Sequence, residues 1–174
     1  MRRTQPRCSS RATTWDRRGS EPSVCVASTL IRLPSALDEQ LRRDAGISHF
    51  EYQVLANLSQ VPDRTLRMSM LATRTEGSLP RLSQVVARLE QRGWVRRTPD
   101  PADGRYTLAI LTDEGWTKVA EAAPGHVEEV RRLVFDPLTR PQSRQLREIG
   151  RRILHAIDPD EPPRWPRAGP HASA

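Results

Sequence analysis

The spacing of apolar residues predicts a chain that is mostly helical between residues 29 and 157. From Leu30, leucines recur every three or four positions, which predicts one helix over about residues 30–44. A second helix should begin after Ser48, because Ser48 with Glu51 has the spacing of a capping box. The inner side of this second helix would consist of Phe50, Val54, Leu55 and Leu58.

Two further helices are predicted in the middle of the chain. A short one at about residues 69–72 is followed by a turn at Gly77, and a longer one extends over residues 78–92 until Gly93 ends it. On a helical wheel the longer helix separates into two sides. The inward side would carry Leu79, Leu82, Val85, Val86 and Leu89, and the outward side Pro80, Arg81, Gln84, Ala87, Arg88 and Gln91.

A hairpin is predicted directly after these helices. Strands at residues 94–97 and 106–111 flank a turn that is rich in proline, aspartate and glycine, and Thr65–Arg67 would add a third short strand. Helix, turn, basic helix and basic hairpin are the order of a winged helix-turn-helix. That fold presents one helix to a DNA major groove and a hairpin to the backbone or minor groove beside it.

The last third of the chain predicts two more helices. Thr112 would cap a long one that begins at Asp113, and Pro124-Gly125 should bend or break it. Thr139 and Gln142 have the spacing of a second capping box, which would start a final helix over residues 140–157. Both helices carry one apolar side with no evident partner in the rest of the chain.

These elements define a mainly α fold with a small β wing and a helical dimerisation region. The domain would extend over residues 29–157, with its DNA-binding part at about 48–111. The dimerisation helices would cover about 30–44, 113–134 and 140–157. Residues 158–174 are rich in proline and are read as a loose tail. Residues 1–28 contain no leucine, which predicts a disordered extension or, alternatively, a misassigned start.

Charge and cysteine content narrow the function without defining it. The chain has 28 basic and 21 acidic residues, a net charge of +7, which suits a polyanionic partner. Cys8 and Cys25 form neither a disulfide framework nor a zinc motif; each is an incidental cysteine or, less favoured, a redox-sensing thiol. No apolar run is long enough to span a membrane, and no secretory signal follows the N-terminal arginines, so a cytoplasmic protein is expected.

The outward side of the helix over 78–92 supplies the candidate DNA contacts. Arg81 can pair with guanine and Gln84 with adenine, since the N-terminal half of a recognition helix usually contacts bases. Ser78 would cap the helix and leave amides for a phosphate, and Arg88 would contact phosphate. In the hairpin, Asp103 would hold Arg105 in place. The candidate set is Ser78, Arg81, Ser83, Gln84, Arg88, Asp103 and Arg105.

Nothing in the sequence predicts catalysis. His49, His126, His155 and His171 are scattered and lack metal-ligand spacing. The chain has no phosphate-binding glycine loop, nucleophile elbow or carboxylate pair with an evident role. We therefore expect no enzyme, no cofactor and no metal site.

Three motifs together resemble the MarR family of bacterial transcription regulators. They are Arg88-Leu89-Glu90-Gln91-Arg92-Gly93-Trp94-Val95-Arg96-Arg97, then Asp103-Gly104-Arg105, then Leu111-Thr112-Asp113-Glu114-Gly115. The resemblance covers about residues 29–157. It implies a homodimer, operator binding through the helix over 78–92 with Arg105 near the minor groove, and a small aromatic effector that weakens DNA binding.

One departure from the family pattern bears on specificity. Gln84 and Ala87 stand where arginine and aspartate are frequent in the family, so a different base preference is expected. The sequence thus predicts a homodimeric winged-helix regulator, most simply a repressor, that binds a palindromic operator in double-stranded DNA. The alternative is a winged helix that binds protein partners and has no operator of its own.

Overall fold

The computed structural model describes residues 17–159. Six helices and a three-stranded sheet confirm the predicted mainly α, winged-helix fold. In chain order the elements are α1 Arg17–Ala45, α2 His49–Ser59, β1 Thr65–Arg67, α3 Met68–Arg74, α4 Leu79–Gln91, β2 Val95–Pro99, β3 Thr107–Leu111, α5 Asp113–Val130, a π-helical segment Arg131–Phe135, and α6 Arg140–Ile157.

The first helix is much longer than its apolar pattern predicted. α1 begins at Arg17 rather than near Leu30, so the prediction of disorder is wrong for residues 17–28. Only the C-terminal part of α1 is anchored: Leu41 is fully buried, whereas Leu30 is 70% exposed. Extending an existing helix is much easier than starting one, so the helix continues beyond its packed part without an apolar pattern of its own. Residues 1–16 and 160–174 lie outside the described residues. Most of the loose tail predicted at residues 158–174 therefore also lies outside them.

The cap of α2 confirms its prediction. The Ser48 amide donates to Glu51 Oε2 at 2.8 Å, and the Glu51 amide donates to Ser48 Oγ at 3.2 Å. This reciprocal pair satisfies two amides that the first turn of a helix leaves without partners. It fixes the start of α2 so that Phe50, Val54, Leu55 and Leu58 enter the core, where the last three are fully buried.

The sheet places the hairpin against the helices. Its strand order is β1-β3-β2, both pairs are antiparallel, and the third strand predicted at Thr65–Arg67 is therefore confirmed. In register, Thr65 lies opposite Ile110 and Val95 opposite Leu111. One hydrophobic core joins this sheet to α2, α3 and α4, and its fully buried side chains include Leu55, Leu58, Leu71, Leu82, Val86 and Leu89.

The later helices begin where they were predicted. Thr112 Oγ1 accepts from the Gly115 amide at 3.0 Å, and Thr139 with Gln142 forms the second capping box. α5 continues through Pro124 and Gly125, so a break there is wrong. Pro124 removes one amide donor, but the flanking turns maintain the helix. The irregular part of this region is the π-helical segment that follows α5.

The described chain divides into two compact units, and the boundary falls within α5. The first unit ends at His126 and contains the winged helix; the second begins at Val127 and contains α6. The first unit holds the hydrophobic core and all of the predicted DNA-contact residues.

Candidate nucleic-acid interface

Helix α4 has one buried and one exposed side. Its buried residues are Leu82, Val85, Val86 and Leu89, as predicted, and Arg81, Gln84 and Arg88 are exposed on the other side. Ser78 caps the helix, with its Oγ 3.4 Å from the Arg81 amide. Leu79 is the exception: predicted to face inward, it is 50% exposed. It occupies the first helical position, where side chains tilt back toward the N-terminus and so beyond the core.

Arg81 rests on an aromatic ring of the neighbouring helix. Its guanidinium carbon lies 4.2 Å from the centre of the Phe50 ring. Gly77 leaves room for that ring, because a Cβ at position 77 would lie only 2.7 Å from Phe50 Cζ. The stacking restricts the arginine before any ligand arrives, which lowers the conformational entropy lost when it binds.

Arg88 faces the buried carboxylate of α2. Its Nε lies 3.6 Å from Glu51 Oε1. Burial by itself would raise the pKa of Glu51, but hydrogen bonds from Ser48 and the nearby charges of Arg92 and Arg88 outweigh burial and hold this pKa below its usual value. Glu51 is therefore a fixed negative charge at neutral pH, and it holds Arg88 on the exposed side of α4.

Arg105 lies at the tip of the wing, in the turn between β2 and β3. Arg105 forms a fork-shaped ion pair with Asp103, with Nη2 2.6 Å from Oδ2 and Nε 2.9 Å from Oδ1. These hydrogen bonds from Arg105 lower the pKa of Asp103. The Arg105 side chain is nonetheless 85% exposed. The predicted role of Asp103 in holding Arg105 thus has a geometric basis, and the guanidinium keeps donors free for an outside acceptor.

Two ion pairs, which the sequence did not predict, link the base of the wing to neighbouring elements. Arg67 Nε donates to Asp100 Oδ2 at 2.7 Å, and the Arg67 guanidinium also covers the ring of Tyr106 at 4.5 Å. Arg97 Nη2 donates to Glu90 Oε2 at 2.6 Å and links β2 to α4. Partners 33 residues apart leave no periodic signal, so only the turn-forming character of Asp100 pointed to this region.

The predicted residues collect around two concave surfaces in the first unit. Ser83 and Arg105 line a small notch of about 260 Å³ between α4 and the wing. Arg81, Gln84 and Arg88 line an open groove of about 910 Å³ formed with α1 and α2. Ser78 and Asp103 line neither. The exposed side of α4 and the wing tip together form a surface rich in arginine, which is suited to the phosphates and base edges of DNA.

The histidines are not all scattered. His126 from α5 lies beside His49 and Tyr52 of α2, with ring centres 5.5 Å and 4.5 Å apart. Burial lowers the pKa of both histidines. Within residues 17–159, no three His, Cys, Asp or Glu side chains come together as a metal site, and no helix is apolar over the length needed to cross a membrane.

The chain is similar to proteins of one known family. A sequence profile described as the MarR family matches residues 45–105, from the end of α1 to the wing tip. The structure resembles Sco3205 of Streptomyces coelicolor, a MarR family transcriptional regulator solved in complex with DNA. Their sequences are 42% identical, the match covers 84% of this chain and 92% of that one, and the TM-score is 0.78.

Two further proteins that are similar to this chain are also transcriptional regulators. AbsC, a MarR family transcriptional regulator of the same organism, is 32% identical; the match covers 79% of this chain and 95% of that one, with a TM-score of 0.69. The HTH-type transcriptional regulator PecS of Dickeya dadantii is 29% identical over 149 residues, or 79% of this chain and 85% of its own length. The similarity therefore extends well beyond the winged helix alone.

Proposed function

The chain belongs to the MarR family of DNA-binding transcriptional regulators, and on this premise we propose that it is a cytoplasmic homodimeric repressor of a palindromic operator. One observation carries the proposal: α4 exposes Arg81, Gln84 and Arg88 in the same compact unit in which the wing exposes Arg105. A recognition helix and a wing arranged in this way can contact a major groove and the adjoining minor groove together.

Each exposed side chain has a proposed role that follows from its chemistry. Arg81 reads guanine O6 and N7, and Gln84 reads adenine N6 and N7. Arg88, restrained by Glu51, contacts phosphate, as do Ser78 and the first amides of α4. Arg105, oriented by Asp103, enters the minor groove. Ser83, which lines the notch together with Arg105, donates to a base edge or phosphate beside the wing.

The proposed dimer is supported by an apolar surface on α6. This helix has no buried residue, although it carries a continuous apolar side. A surface patch of this kind on a regulator is typical of a subunit interface. Its exposed residues are Leu146, Ile149, Ile153, Leu154 and Ile157. In the first unit, α1 separately exposes Leu30 and Ile31.

The proposed effector site is the groove between α1, α2 and α4. It combines the Phe50 ring with the guanidinium groups of Arg42, Arg81 and Arg88. The carboxylate of a small aromatic acid would pair with a guanidinium group, and its ring would take the place that Arg81 occupies over Phe50. Because Arg81 is also the proposed base reader, a bound acid would compete with DNA for the same side chain.

Footprinting tests the proposed operator. A dimer with two recognition helices should protect two half-sites related by a dyad, about 10 base pairs apart from centre to centre. Sedimentation of the same complex should show two chains per duplex. A monomer on one asymmetric half-site would contradict the dimeric repressor. If the affinity for duplex DNA does not fall as the salt concentration rises, the alternative function is favoured, which is a winged helix that binds protein partners and has no operator of its own.

The proposed role of Arg105 predicts a change in salt dependence. Arg105→Ala should weaken binding to cognate and random duplexes alike and reduce the slope of log K against log salt by about one unit, because one positive charge no longer lies in the groove between the phosphates. Arg105→Lys is the matched control, since it keeps the charge and should keep most of the slope. If Arg105→Ala folds normally and keeps both affinity and slope, Arg105 does not contact DNA.

A further inference from the structure

The notch between α4 and the wing is less basic than its composition suggests. Three arginines line it, and each is paired with a carboxylate of the same chain: Arg67 with Asp100, Arg97 with Glu90, and Arg105 with Asp103. Their charges are thus largely compensated inside the protein. A phosphate would find little unbalanced positive charge in the notch itself.

Apolar and aromatic side chains form the rest of the notch together with small hydroxyl residues. Leu79, at the first position of α4, is 50% exposed, and Tyr106, which directly precedes β3, is 42% exposed. Met68 of α3 also lines the notch. Leu79 belongs to no buried cluster. An exposed leucine beside a basic surface is a site where a ligand that offers one small apolar group would gain binding energy.

DNA offers one such group in the major groove. The C5-methyl of thymine is the apolar feature among the donors and acceptors of the base edges. Leu79 occupies the N-terminal end of α4, the part of a recognition helix that normally contacts bases. Ser83 lies one turn further along the same side of α4 and brings a hydroxyl to the same notch.

We propose that Leu79 reads the C5-methyl group of one thymine in each half-site, with the methyl entering the notch between α4 and the wing. This inference rests on the proposed operator binding and adds a specificity-determining residue to it. The notch and the groove lined by Arg81 and Gln84 are separate, but Leu79, Arg81 and Gln84 all lie in the N-terminal half of α4, so the thymine would belong to the same half-site as the bases those residues contact. Apolar contact, rather than hydrogen bonding, then fixes that base pair.

Uracil substitution isolates the methyl group. A preferred duplex is first selected from a random library with the full-length protein. Each thymine is then replaced singly by deoxyuridine, which keeps every hydrogen-bonding group and removes only the methyl. One position per half-site should weaken binding about four-fold, the value expected for one buried carbon, and replacing both symmetric positions should weaken it about fifteen-fold.

Two variants assign the effect to a residue. Leu79→Ala should bind thymine and uracil duplexes equally, because nothing remains to contact the methyl. Met70→Ala is the matched control: Met70 is 51% exposed on α3 and does not line the notch, so this variant should keep the four-fold preference. At the same position, a cytosine duplex should bind more weakly than thymine, and 5-methylcytosine should recover part of the loss.

The outcomes separate the inference from the function on which it rests. If the wild-type protein selects a duplex but binds its uracil forms equally at every position, the methyl contact is overturned and operator binding stands. If Leu79→Ala keeps the preference for thymine, the methyl is read by another residue and the assignment is wrong. If no duplex is selected, operator binding fails and this inference fails with it.

Discussion

Replacing Gly115 with alanine is expected to destabilise the protein by about 3 kcal/mol, the upper end of the usual cost of overpacking, because there is no space for the new methyl group. A Cβ at this position would lie 2.0 Å from the carbonyl oxygen of Trp94 and 2.8 Å from Leu111 Cδ1. The Trp94 carbonyl cannot move freely, since it accepts a hydrogen bond from the Thr112 amide at 3.1 Å. Relief therefore requires the backbone of α5 or of the wing to shift.

Gly125→Ala is the matched control for this prediction. Gly125 lies in the same helix, α5, and a Cβ there would meet Gln40 Nε2 at 3.5 Å, an ordinary van der Waals contact. Alanine should be neutral or should stabilise the protein by up to about 1 kcal/mol through its higher helix propensity. Urea denaturation of the three proteins gives the comparison. Equal midpoints for Gly115→Ala and the wild type would show that α5 does not pack closely on Trp94.

Gly115 explains one of the motifs in physical terms. In the run Leu111-Thr112-Asp113-Glu114-Gly115, the threonine hydroxyl accepts from the Gly115 amide and donates to the Gly93 carbonyl at 2.7 Å. The hydroxyl thus caps α5 and joins it to the turn after α4, and the absent side chain at 115 allows the close approach. The motif fixes where α5 begins relative to the recognition helix and wing.

Features encoded by neighbouring residues could be predicted from the sequence. Both capping boxes, at Ser48 and Thr139, and the strand at Thr65–Arg67 are where local patterns placed them. The MarR resemblance and the mainly α fold are likewise confirmed. These features depend on residues three or four positions apart or on an alternating pattern, which a single sequence displays directly.

Features that depend on distant partners or on helix ends could not be predicted. Leu79 follows the period of the buried side of α4, yet at the first turn it lies beyond the core. The Arg67–Asp100 pair joins β1 to the wing turn and has no local signature. Residues 17–28 form helix without an apolar period, because the packed part of α1 provides the start from which the helix extends.

Arg81 is expected to carry the largest single contribution to operator recognition. Arg81→Ala should weaken binding to the selected operator by about 1–3 kcal/mol and relax the preference at one base position, while binding to random duplexes should change less. The reason is geometric: Arg81 lies in the first turns of α4, and stacking on Phe50 limits its freedom before DNA binds. Competition binding with every base at each operator position measures both effects.

Two further variants test whether base recognition needs the paired donors of the Arg81 guanidinium or only its positive charge. Arg81→Lys keeps the charge but loses the paired donors, so it should restore binding to random DNA without restoring the base preference. Arg92→Ala is the matched control, because Arg92 caps the far end of α4 and donates to the Gly46 carbonyl of the same chain at 3.2 Å. A folded Arg81→Ala protein with wild-type affinity and an unchanged preferred sequence would place base recognition elsewhere on α4, with Gln84 the next exposed position along the helix.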